Sequence, residues 1–519
     1  MTKANYIVMT ALIVALGGLL MGFDASVISG VVKFIEPEFN LTSLEIGWSV
    51  SSLTLTATLA MLLAGPLSDR YGRRLVLRYA AILYAISAIA SALAPTFWFL
   101  VVARMIGGFG VGASLILAPM YIAEIAPPKI RGRMVSFNQL NIVIGISLAF
   151  FTNYLILKYG TSDAGWAKTL MLGEYQWRWM LGLETLPAVL YFLGLFFVPK
   201  SPRWLIMKGE LDQAKKVMSQ FNSEEQVKQD LEAIQQSIEK DKSKKKESFA
   251  ELLNPTLRLV LTIGIVVSVL QQITGINSVF FYAPMIFEQS GIGTDASFVQ
   301  AILVGLVNLA FTVLAILFID KLGRKPLLIF GVAGIVICMF ILAYGFNSAT
   351  YTLPKDSLTE LVDAESKLKL ESLSEITYTD DTGFKAAIVD AIGKEKATEY
   401  SAALITAAIK MNPTLILAGI IGFVASFAIS IGPVMWVLFS ELFPNWIRGI
   451  AISFVGLINS AVSFIVQLVF PWELEVLGSA TTFLIYGIFA LLGLVFIIKV
   501  VPETKGKSLE ELEEMLVSK

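Results

Sequence analysis

The sequence predicts an all-α membrane protein whose twelve membrane-spanning helices form two repeated halves of six. The chain of 519 residues is 56% hydrophobic and only 16% charged, whereas a soluble domain carries about 25% charged residues. The apolar residues fall in blocks of about 20, which is enough for a helix to cross the hydrocarbon core of a bilayer. Two short charged motifs also occur twice in the same order, which indicates two copies of one structural unit.

The apolar blocks are predicted to be helices, because lipid offers no hydrogen-bond partner to an open backbone. They lie at residues 7–30, 46–66, 75–94, 98–122, 136–157, 178–198, 257–284, 298–318, 327–346, 414–439, 450–470 and 478–500. We therefore divide the chain into an N-terminal half (1–199), a cytoplasmic helical linker (200–256), a C-terminal half (257–500) and a cytoplasmic tail (501–519).

The repeated motifs give the two halves their correspondence. Residues 69–74 (DRYGRR) recur as residues 320–325 (DKLGRK), and residues 124–132 (EIAPPKIRG) recur as residues 441–449 (ELFPNWIRG). The second pair lies farther apart because of a polar stretch at residues 347–413, which we predict to be an extracellular insert. A solvated spacer is the simpler interpretation of its mixed charges. A small helical cap or a mobile loop is the alternative.

Charge and composition set the orientation and exclude several classes of protein. Clustered Lys and Arg residues follow the even-numbered spans, so the positive-inside rule predicts an inner membrane protein with both termini in the cytoplasm. The net charge is −1, which suggests no nucleic acid partner, and no nucleotide-binding loop is found. The chain has no His and a single Cys, Cys338. We therefore expect no catalytic triad, no metal, no cofactor and no enzymatic activity.

Asp24 is a charged residue in the middle of the first predicted span. A charge at the bilayer centre costs roughly 2.5–3.5 kcal/mol on insertion scales, so its presence needs a reason. Arg104 in the fourth span is the natural partner, and Glu184 in the sixth span is a third charge within the membrane. A static ion pair is one interpretation. The other is a titratable carboxylate that binds and releases a proton when a helix moves and changes its surroundings.

Carboxamide side chains accumulate in the apolar spans, above all at Gln271, Gln272 and Asn277 of the seventh span. Each carboxamide offers two donors and an acceptor, which suits a neutral polyhydroxy ligand in a wet cavity. Hydrogen bonding between helices is the alternative, worth about 0.6 kcal/mol per bond, and it explains one Asn better than this many amides. The other members of the set are Gln139, Asn141, Asn308 and Asn459.

Trp436 follows a Gly432-Pro433 break in the tenth span. Its flat ring can lie against the apolar face of a sugar, with the indole N–H as a donor. An aromatic anchor at the membrane interface is the alternative, which the position of Trp436 inside the span disfavours.

These motifs together resemble the sugar porter family of the major facilitator superfamily. The resemblance covers nearly the whole chain and includes both charged motifs and the Gln271–Asn277 and Gly432–Trp436 segments. It extends to residues 199–205 (PKSPRWL) and 502–506 (PETKG). It implies the major facilitator fold, a monomer in a lipid bilayer, and alternating access. It also implies import of a monosaccharide, a hexose or pentose such as glucose or xylose, with a proton as the coupling ion.

The resemblance implies three groups of site residues. Those for the substrate are Gln139, Gln271, Gln272, Asn277, Asn308, Trp436 and Asn459. Those for proton coupling are Asp24 and Arg104. Those for gating are Asp69, Arg73, Arg74, Glu124, Arg131, Asp320, Arg324, Glu441 and Arg448. Within the gating group we expect Glu124 to pair with Arg74 and Arg131, and Glu441 to pair with Arg324 and Arg448. A role in membrane topology alone is the alternative.

The chain departs from the family pattern at several positions. Lys200 stands where the family usually has Glu, which changes one of the charged clusters assigned to gating. Met21 stands where many relatives have an aromatic residue, and Phe281 stands where they have a tyrosine, so the predicted pocket differs in part from theirs. A passive uniporter, a sugar sensor that transports nothing and a drug–proton antiporter remain as alternatives. Asp24 favours symport, because uniporting members have an amide there. The amide set disfavours the antiporter, whose cavity would be apolar.

Overall fold

A computed structural model describes residues 3–126, 131–220, 224–243, 249–444, 446–507 and 509–517. Its first part is almost entirely helical, as expected for apolar segments that must satisfy their own backbone. The helices up to the predicted linker are α1 (Lys3–Phe39), α2 (Ser43–Tyr71), α3 (Arg73–Ala92), α4 (Phe97–Ile125), α5 (Arg131–Gly160), α6 (Gly165–Thr169), α7 (Gln176–Gly182) and α8 (Thr185–Gly194).

Short amphipathic helices follow, and then a second set of long apolar helices. The short ones are α9 (Pro202–Met207), α10 (Leu211–Met218) and α11 (Glu224–Ser243), with 3-10 turns at Phe249–Leu253 and Pro255–Leu257. The next four helices are α12 (Arg258–Ile273), α13 (Ile276–Glu288), α14 (Thr294–Leu322) and α15 (Arg324–Asn347). Among the described residues, eleven helical segments are long and apolar enough to span a membrane. The sixth predicted span instead consists of α7 and α8, separated by Leu183 and Glu184.

The predicted insert folds around a core of its own. Its elements are β1 (Thr350–Thr352), α16 (Leu358–Leu361), α17 (Ala364–Leu370), a 3-10 turn (Glu371–Leu373), β2 (Thr377–Tyr378), α18 (Asp381–Ile392), α19 (Lys394–Ala408) and β3 (Ile409–Lys410). The strands form an antiparallel sheet in the order β2-β1-β3. Phe384, Ile388 and Ile392 lie four residues apart on one face of α18 and are buried in this core.

The solvated spacer that we favoured for the insert is therefore wrong, and the small helical cap is the better description. Alternating charges concealed the apolar face of α18 in the sequence. The insert is also locally well capped: Asp363 accepts hydrogen bonds from the backbone N–H of Ser366 (2.9 Å) and from its hydroxyl (2.9 Å). These bonds stabilise the ionised carboxylate and hold the pKa of Asp363 well below its ordinary value.

The chain ends with α20 (Pro413–Ile429), α21 (Ile431–Leu442), α22 (Arg448–Val476), α23 (Gly478–Val500) and α24 (Leu509–Val517). Two spans of the predicted C-terminal half are interrupted. Gly275 separates α12 from α13 at φ +85°, and a Cβ there would lie 2.4 Å from the ring of Tyr486. Ser430 (φ −125°, ψ −105°) separates α20 from α21. Interrupted helices of this kind form binding sites in repeat-built transporters.

Packing divides the chain into two compact units. One comprises Met1–Ala25, Ser52–Ala149 and Arg178–Ser248, and the other Ser26–Ser51, Phe150–Trp177 and Phe249–Lys519. The first unit has a core that includes the fully buried Leu20, Leu77, Tyr84, Leu117 and Tyr121. These bounds reflect packing, whereas the halves predicted above follow the repeated motifs, so the predicted domain division stays a prediction.

Candidate functional site

Four amide side chains of the second unit form one hydrogen-bonded network. Gln272 Nε2 donates to Gln271 Oε1 (3.2 Å) and to Asn459 Oδ1 (3.1 Å). Asn459 Nδ2 donates to Gln271 Oε1 (2.7 Å), and Asn277 Nδ2 donates to Gln272 Oε1 (2.8 Å). The structure thus brings together Gln271, Gln272, Asn277 and Asn459 from α12, α13 and α22, as the resemblance implied.

The interrupted helices position this network. Because α12 ends at Ile273 and α13 begins at Ile276, Gln272 and Asn277 lie on different helices yet hydrogen bond directly. Gln271 Nε2 also donates to the backbone carbonyls of Ile431 (3.2 Å) and Gly432 (3.1 Å) in the first turn of α21. The two helix breaks therefore meet at Gln271.

Sequence reasoning missed three members of the network: Ser463, Gln467 and the backbone carbonyl of Ser268. Asn277 Nδ2 donates to Ser463 Oγ (2.6 Å), Gln467 Nε2 donates to the same oxygen (2.7 Å), and Asn459 Nδ2 donates to the carbonyl of Ser268 (3.0 Å). Asn459, Ser463 and Gln467 are spaced by four residues, which places them on one face of α22. That spacing was the signal that could have found Ser463 and Gln467.

The remaining predicted substrate residues lie apart from these hydrogen bonds. Asn308 is buried on α14, and no side-chain hydrogen bond joins it to the described part of the chain. Trp436 on α21 is 46% exposed and meets the ring of Phe439 edge-on at 6.1 Å. Gln139 is exposed on α5 of the first unit, and Asn141 donates to the carbonyl of Phe137 (2.8 Å). Asn308, Trp436 and Gln139 thus keep side-chain groups available to a ligand.

Asp24 and Arg104 form the predicted buried ion pair. Arg104 Nη1 lies 3.3 Å from Asp24 Oδ1, and Arg104 Nη2 donates to the Asp24 carbonyl at 3.3 Å. Both side chains are at most 2% exposed. Asp24 Oδ2 accepts no hydrogen bond from the part of the chain that the structure describes. A Cβ on Gly107 would lie 2.8 Å from this oxygen, so the glycine makes room for the carboxylate.

Glu184 is a second buried carboxylate in the same unit. It is 2% exposed and lies at the break between α7 and α8. Its Oε1 also accepts no hydrogen bond from the described residues. An uncompensated charge buried in this way is costly.

The first copy of the charged motifs forms a compact cluster. Arg73 Nη1 binds Asp69 Oδ1 (2.7 Å), and Arg73 Nη2 lies 3.1 Å from Glu124 Oε1. Ser201 donates its hydroxyl proton to Glu124. Glu124 therefore pairs with Arg73. The expected pairing with Arg74 is wrong, because Arg74 donates to the carbonyl of Val198 (2.9 Å). The side chain of Arg131, its second expected partner, lies outside the described residues.

The second copy repeats this arrangement. Arg324 donates to both oxygens of Glu441, at 2.8 Å and 3.1 Å. Thr504 donates its hydroxyl to Glu441 (2.6 Å), in the manner of Ser201. The expected pairing of Glu441 with Arg448 is wrong, because Arg448 donates to the carbonyl of Phe443 (3.0 Å). The side chain of Asp320 lies outside the described residues.

A cavity of about 470 Å³ in the second unit lies away from these groups. The ends of α1, α13 and α22 and the insert helices α18 and α19 line it. Lys33 at its wall donates to Glu288 Oε1 (2.5 Å) and to the hydroxyl of Thr294. None of the predicted substrate or coupling residues lines this cavity.

Comparison with known proteins adds a family and a set of relatives. The profile of the family described as Sugar (and other) transporter matches residues 10–359 and 396–516, which leaves out part of the insert. The chain is 35% identical over 517 residues to the arabinose-proton symporter of Bacillus subtilis, with 99% of this chain and 96% of that protein covered. It is 35% identical over 549 residues to the D-xylose-proton symporter of Escherichia coli, with 99% and 96% covered.

Solved structures agree with this result. The inward open conformation of the xylose transporter from E. coli is similar to this chain with a TM-score of 0.75 and 32% sequence identity. The alignment covers 98% of this chain and 100% of that one.

Proposed function

Because the chain belongs to the sugar transporter family of the major facilitator superfamily, we propose that it imports a monosaccharide together with a proton by alternating access. Two relatives are named as arabinose-proton and D-xylose-proton symporters. A further relative is named as a glucose transport protein. The substrate is therefore a pentose or a hexose, and the coupling ion is a proton.

The amide network is the single observation that carries the sugar assignment. Gln271, Gln272 and Asn459 are at most 8% exposed and yet lie in helices that are otherwise apolar. Helix association alone does not require so many amides at two helix breaks. Asn277, Asn308, Trp436 and Gln139 add amide groups and an aromatic face for the hydroxyls and C–H groups of a sugar.

Proton coupling resides in Asp24 with Arg104 as its partner. The carboxylate lies 3.3 Å from Arg104 and keeps one oxygen without a hydrogen bond from the described residues. A buried acid that pairs with an arginine in one conformation and loses that partner in another binds a proton in the second. The charged clusters around Arg73 and Arg324 hold helix ends together and serve gating. The protein works as a monomer in the cytoplasmic membrane, with both termini in the cytoplasm.

Uptake into proteoliposomes tests the overall function. Purified protein is reconstituted, and accumulation of radiolabelled arabinose, xylose and glucose is measured with and without an inward proton gradient. We expect accumulation above the external concentration only with the gradient. Accumulation that persists after an uncoupler collapses the gradient contradicts symport. Equilibration without accumulation indicates a passive uniporter, and binding without uptake indicates a sensor.

Asp24→Asn tests the coupling residue. We expect loss of uphill uptake, because the amide cannot bind a proton, and retained sugar counterflow, because exchange needs no net proton movement. Asp163→Asn is the matched control, since Asp163 lies in the short loop that follows α5 and its side chain is fully exposed. If Asp24→Asn still concentrates sugar, Asp24 is not the coupling residue.

Gln272→Ala tests the binding site. The change removes two donated hydrogen bonds and one accepted one from the network, and we expect sugar affinity to fall roughly 10- to 100-fold. Gln213→Ala on the exposed face of α10 is the control for loss of a glutamine amide. Unchanged affinity in Gln272→Ala means that the network holds helices together and does not bind sugar.

A further inference from the structure

We propose that Ser463 and Asn277 form a donor–acceptor pair that recognises one hydroxyl of the sugar, with Ser463 as the donor. The proposal rests on the proposed function, because it places this pair in the sugar site. Ser463 lies on α22 and is 5% exposed. Its role follows from the direction of the hydrogen bonds in the amide network.

The direction is set where the network meets the backbone. Gln271 Nε2 donates to the carbonyls of Ile431 (3.2 Å) and Gly432 (3.1 Å), and Asn459 Nδ2 donates to the carbonyl of Ser268 (3.0 Å). A carbonyl oxygen can only accept a hydrogen bond, so these contacts fix which end of each amide is nitrogen. Gln271 Oε1 must therefore accept from its neighbours.

The orientations of the Gln272 and Asn277 amides follow from that of Gln271. Both protons of Gln272 Nε2 are used by Gln271 Oε1 (3.2 Å) and Asn459 Oδ1 (3.1 Å). Gln272 Oε1 is then the acceptor for Asn277 Nδ2 at 2.8 Å, and the second proton of Asn277 Nδ2 goes to Ser463 Oγ at 2.6 Å. A reversed Asn277 amide would place two oxygens against each other at Gln272, so its orientation is determined.

The network ends at the Ser463 hydroxyl and at Asn277 Oδ1, each of which can form a further hydrogen bond. Ser463 Oγ accepts from Asn277 Nδ2 (2.6 Å) and Gln467 Nε2 (2.7 Å), which occupies both of its lone pairs. The hydroxyl proton of Ser463 is donated to no acceptor among the described residues. Asn277 Oδ1 likewise accepts nothing from them, and Asn277 is only partly buried.

A donor beside an acceptor matches the chemistry of a single sugar hydroxyl, which accepts one hydrogen bond and donates another. Removing that hydroxyl leaves both protein groups unpaired, and inverting its configuration misaligns both bonds. A site that hydrogen bonds a hydroxyl rejects an analogue lacking it far more strongly than an apolar pocket rejects a missing methylene. The pair is therefore a determinant of substrate specificity at one position of the ring.

Binding of D-glucose, D-xylose and each of their monodeoxy derivatives to the full-length protein tests this. Competition against radiolabelled sugar is measured for the wild type, Ser463→Ala and Ser463→Thr. For the wild type we expect one deoxy position to weaken binding roughly 10- to 100-fold. In Ser463→Ala that penalty shrinks while the penalties at other positions stay, and Ser463→Thr, which keeps the hydroxyl, restores it.

Ser453→Ala is the matched control, since Ser453 lies on the same helix, is exposed, and donates to the carbonyl of Gly449. A pattern of deoxy penalties in Ser463→Ala that is identical to the wild-type pattern overturns the inference but leaves sugar binding intact. Absence of binding for every sugar in the wild type overturns the proposed function itself, so the two failures are distinguishable.

Discussion

The two copies of the charged motifs follow one plan but differ at the start of the helix that each precedes. In both, a glycine at φ +95° stands directly before a helix whose first residue is the motif arginine, Gly72 before Arg73 and Gly323 before Arg324. In both, that arginine binds a glutamate from a distant helix. The repeat in the sequence is thus a repeat of specific contacts.

The shared plan extends to a hydroxyl group that the motifs do not contain. Ser201 donates to Glu124, and Thr504 donates to Glu441. Ser201 follows Pro199-Lys200 and Thr504 follows Pro502-Glu503, so the two segments occupy equivalent places in the two copies. Each glutamate therefore has a basic and a hydroxyl partner.

The difference is the residue before each hydroxyl. Glu503 accepts from the backbone N–H of Arg324 (3.1 Å) and of Lys325 (3.0 Å), so its carboxylate caps α15. Lys200 occupies the corresponding place in the first copy, and no side chain among the described residues accepts from the first backbone N–H groups of α3. The ring of Trp204 lies there instead, 3.2 Å from the position of a Cβ on Gly72. The second copy thus has a carboxylate at the start of its helix where the first copy has an aromatic contact, and the ion pair is present in both.

Breaking the ion pairs is expected to have the largest effect. Arg73→Ala and Arg324→Ala each leave a glutamate without its cation, and we expect a loss of about 3–5 kcal/mol in the free energy of unfolding for a buried pair. The loss is greater for Arg73→Ala, because the Glu124 side chain is 8% exposed and that of Glu441 is 22% exposed. Denaturant unfolding in detergent micelles, followed by tryptophan fluorescence, measures both.

Lys168→Ala provides the control for this comparison. Lys168 pairs with Asp163 at 2.7 Å, but its side chain is 64% exposed, so its removal should change the stability by about 1 kcal/mol or less. Equal losses for the control and for Arg73→Ala would mean that the repeated ion pairs contribute no more to the free energy of unfolding than an exposed ion pair does.

Removing the hydroxyls is expected to have an intermediate and equal effect in the two copies. Ser201→Ala and Thr504→Ala each delete a hydrogen bond to a charged glutamate, which contributes about 1.5–3 kcal/mol. The same unfolding measurement applies, and Thr504→Ser, which keeps the hydroxyl, should retain most of the stability. A large loss in one copy with none in the other would show that the correspondence of Ser201 and Thr504 is superficial.

Exchanging the cap is expected to have the smallest effect and to sharpen the comparison most directly. Glu503→Gln removes the charge at the N-terminus of α15 and should lower the stability by about 0.3–1 kcal/mol. Lys200→Glu places a carboxylate at the matching site of α3 and should raise it by a similar amount. Glu251→Gln, at an exposed position outside both copies, is the control for loss of a carboxylate. A loss of stability in Lys200→Glu would mean that a carboxylate at position 200 does not cap α3.

Much of the molecule was predictable from local features. The fold and the family are confirmed by the family profile and the solved structures. The Asp24–Arg104 pair was predictable because a membrane interior offers a buried carboxylate few partners. Arg74 and Arg448 were assigned the wrong partners, because several arginines in one motif are equivalent in sequence and only backbone carbonyls within reach distinguish them.

The sequence by itself determined the apolar spans, the twofold repeat and the residue types at the site, since each depends on composition and spacing along the chain. The tertiary structure decided which charged groups pair, that the insert has a core, and how the amides are oriented. Orientation is a long-range property here: the Asn277 amide presents its nitrogen to Ser463 because backbone carbonyls of Ile431, Gly432 and Ser268 fix the amides between them. No local sequence pattern predicts an orientation that depends on contacts between distant segments of the chain.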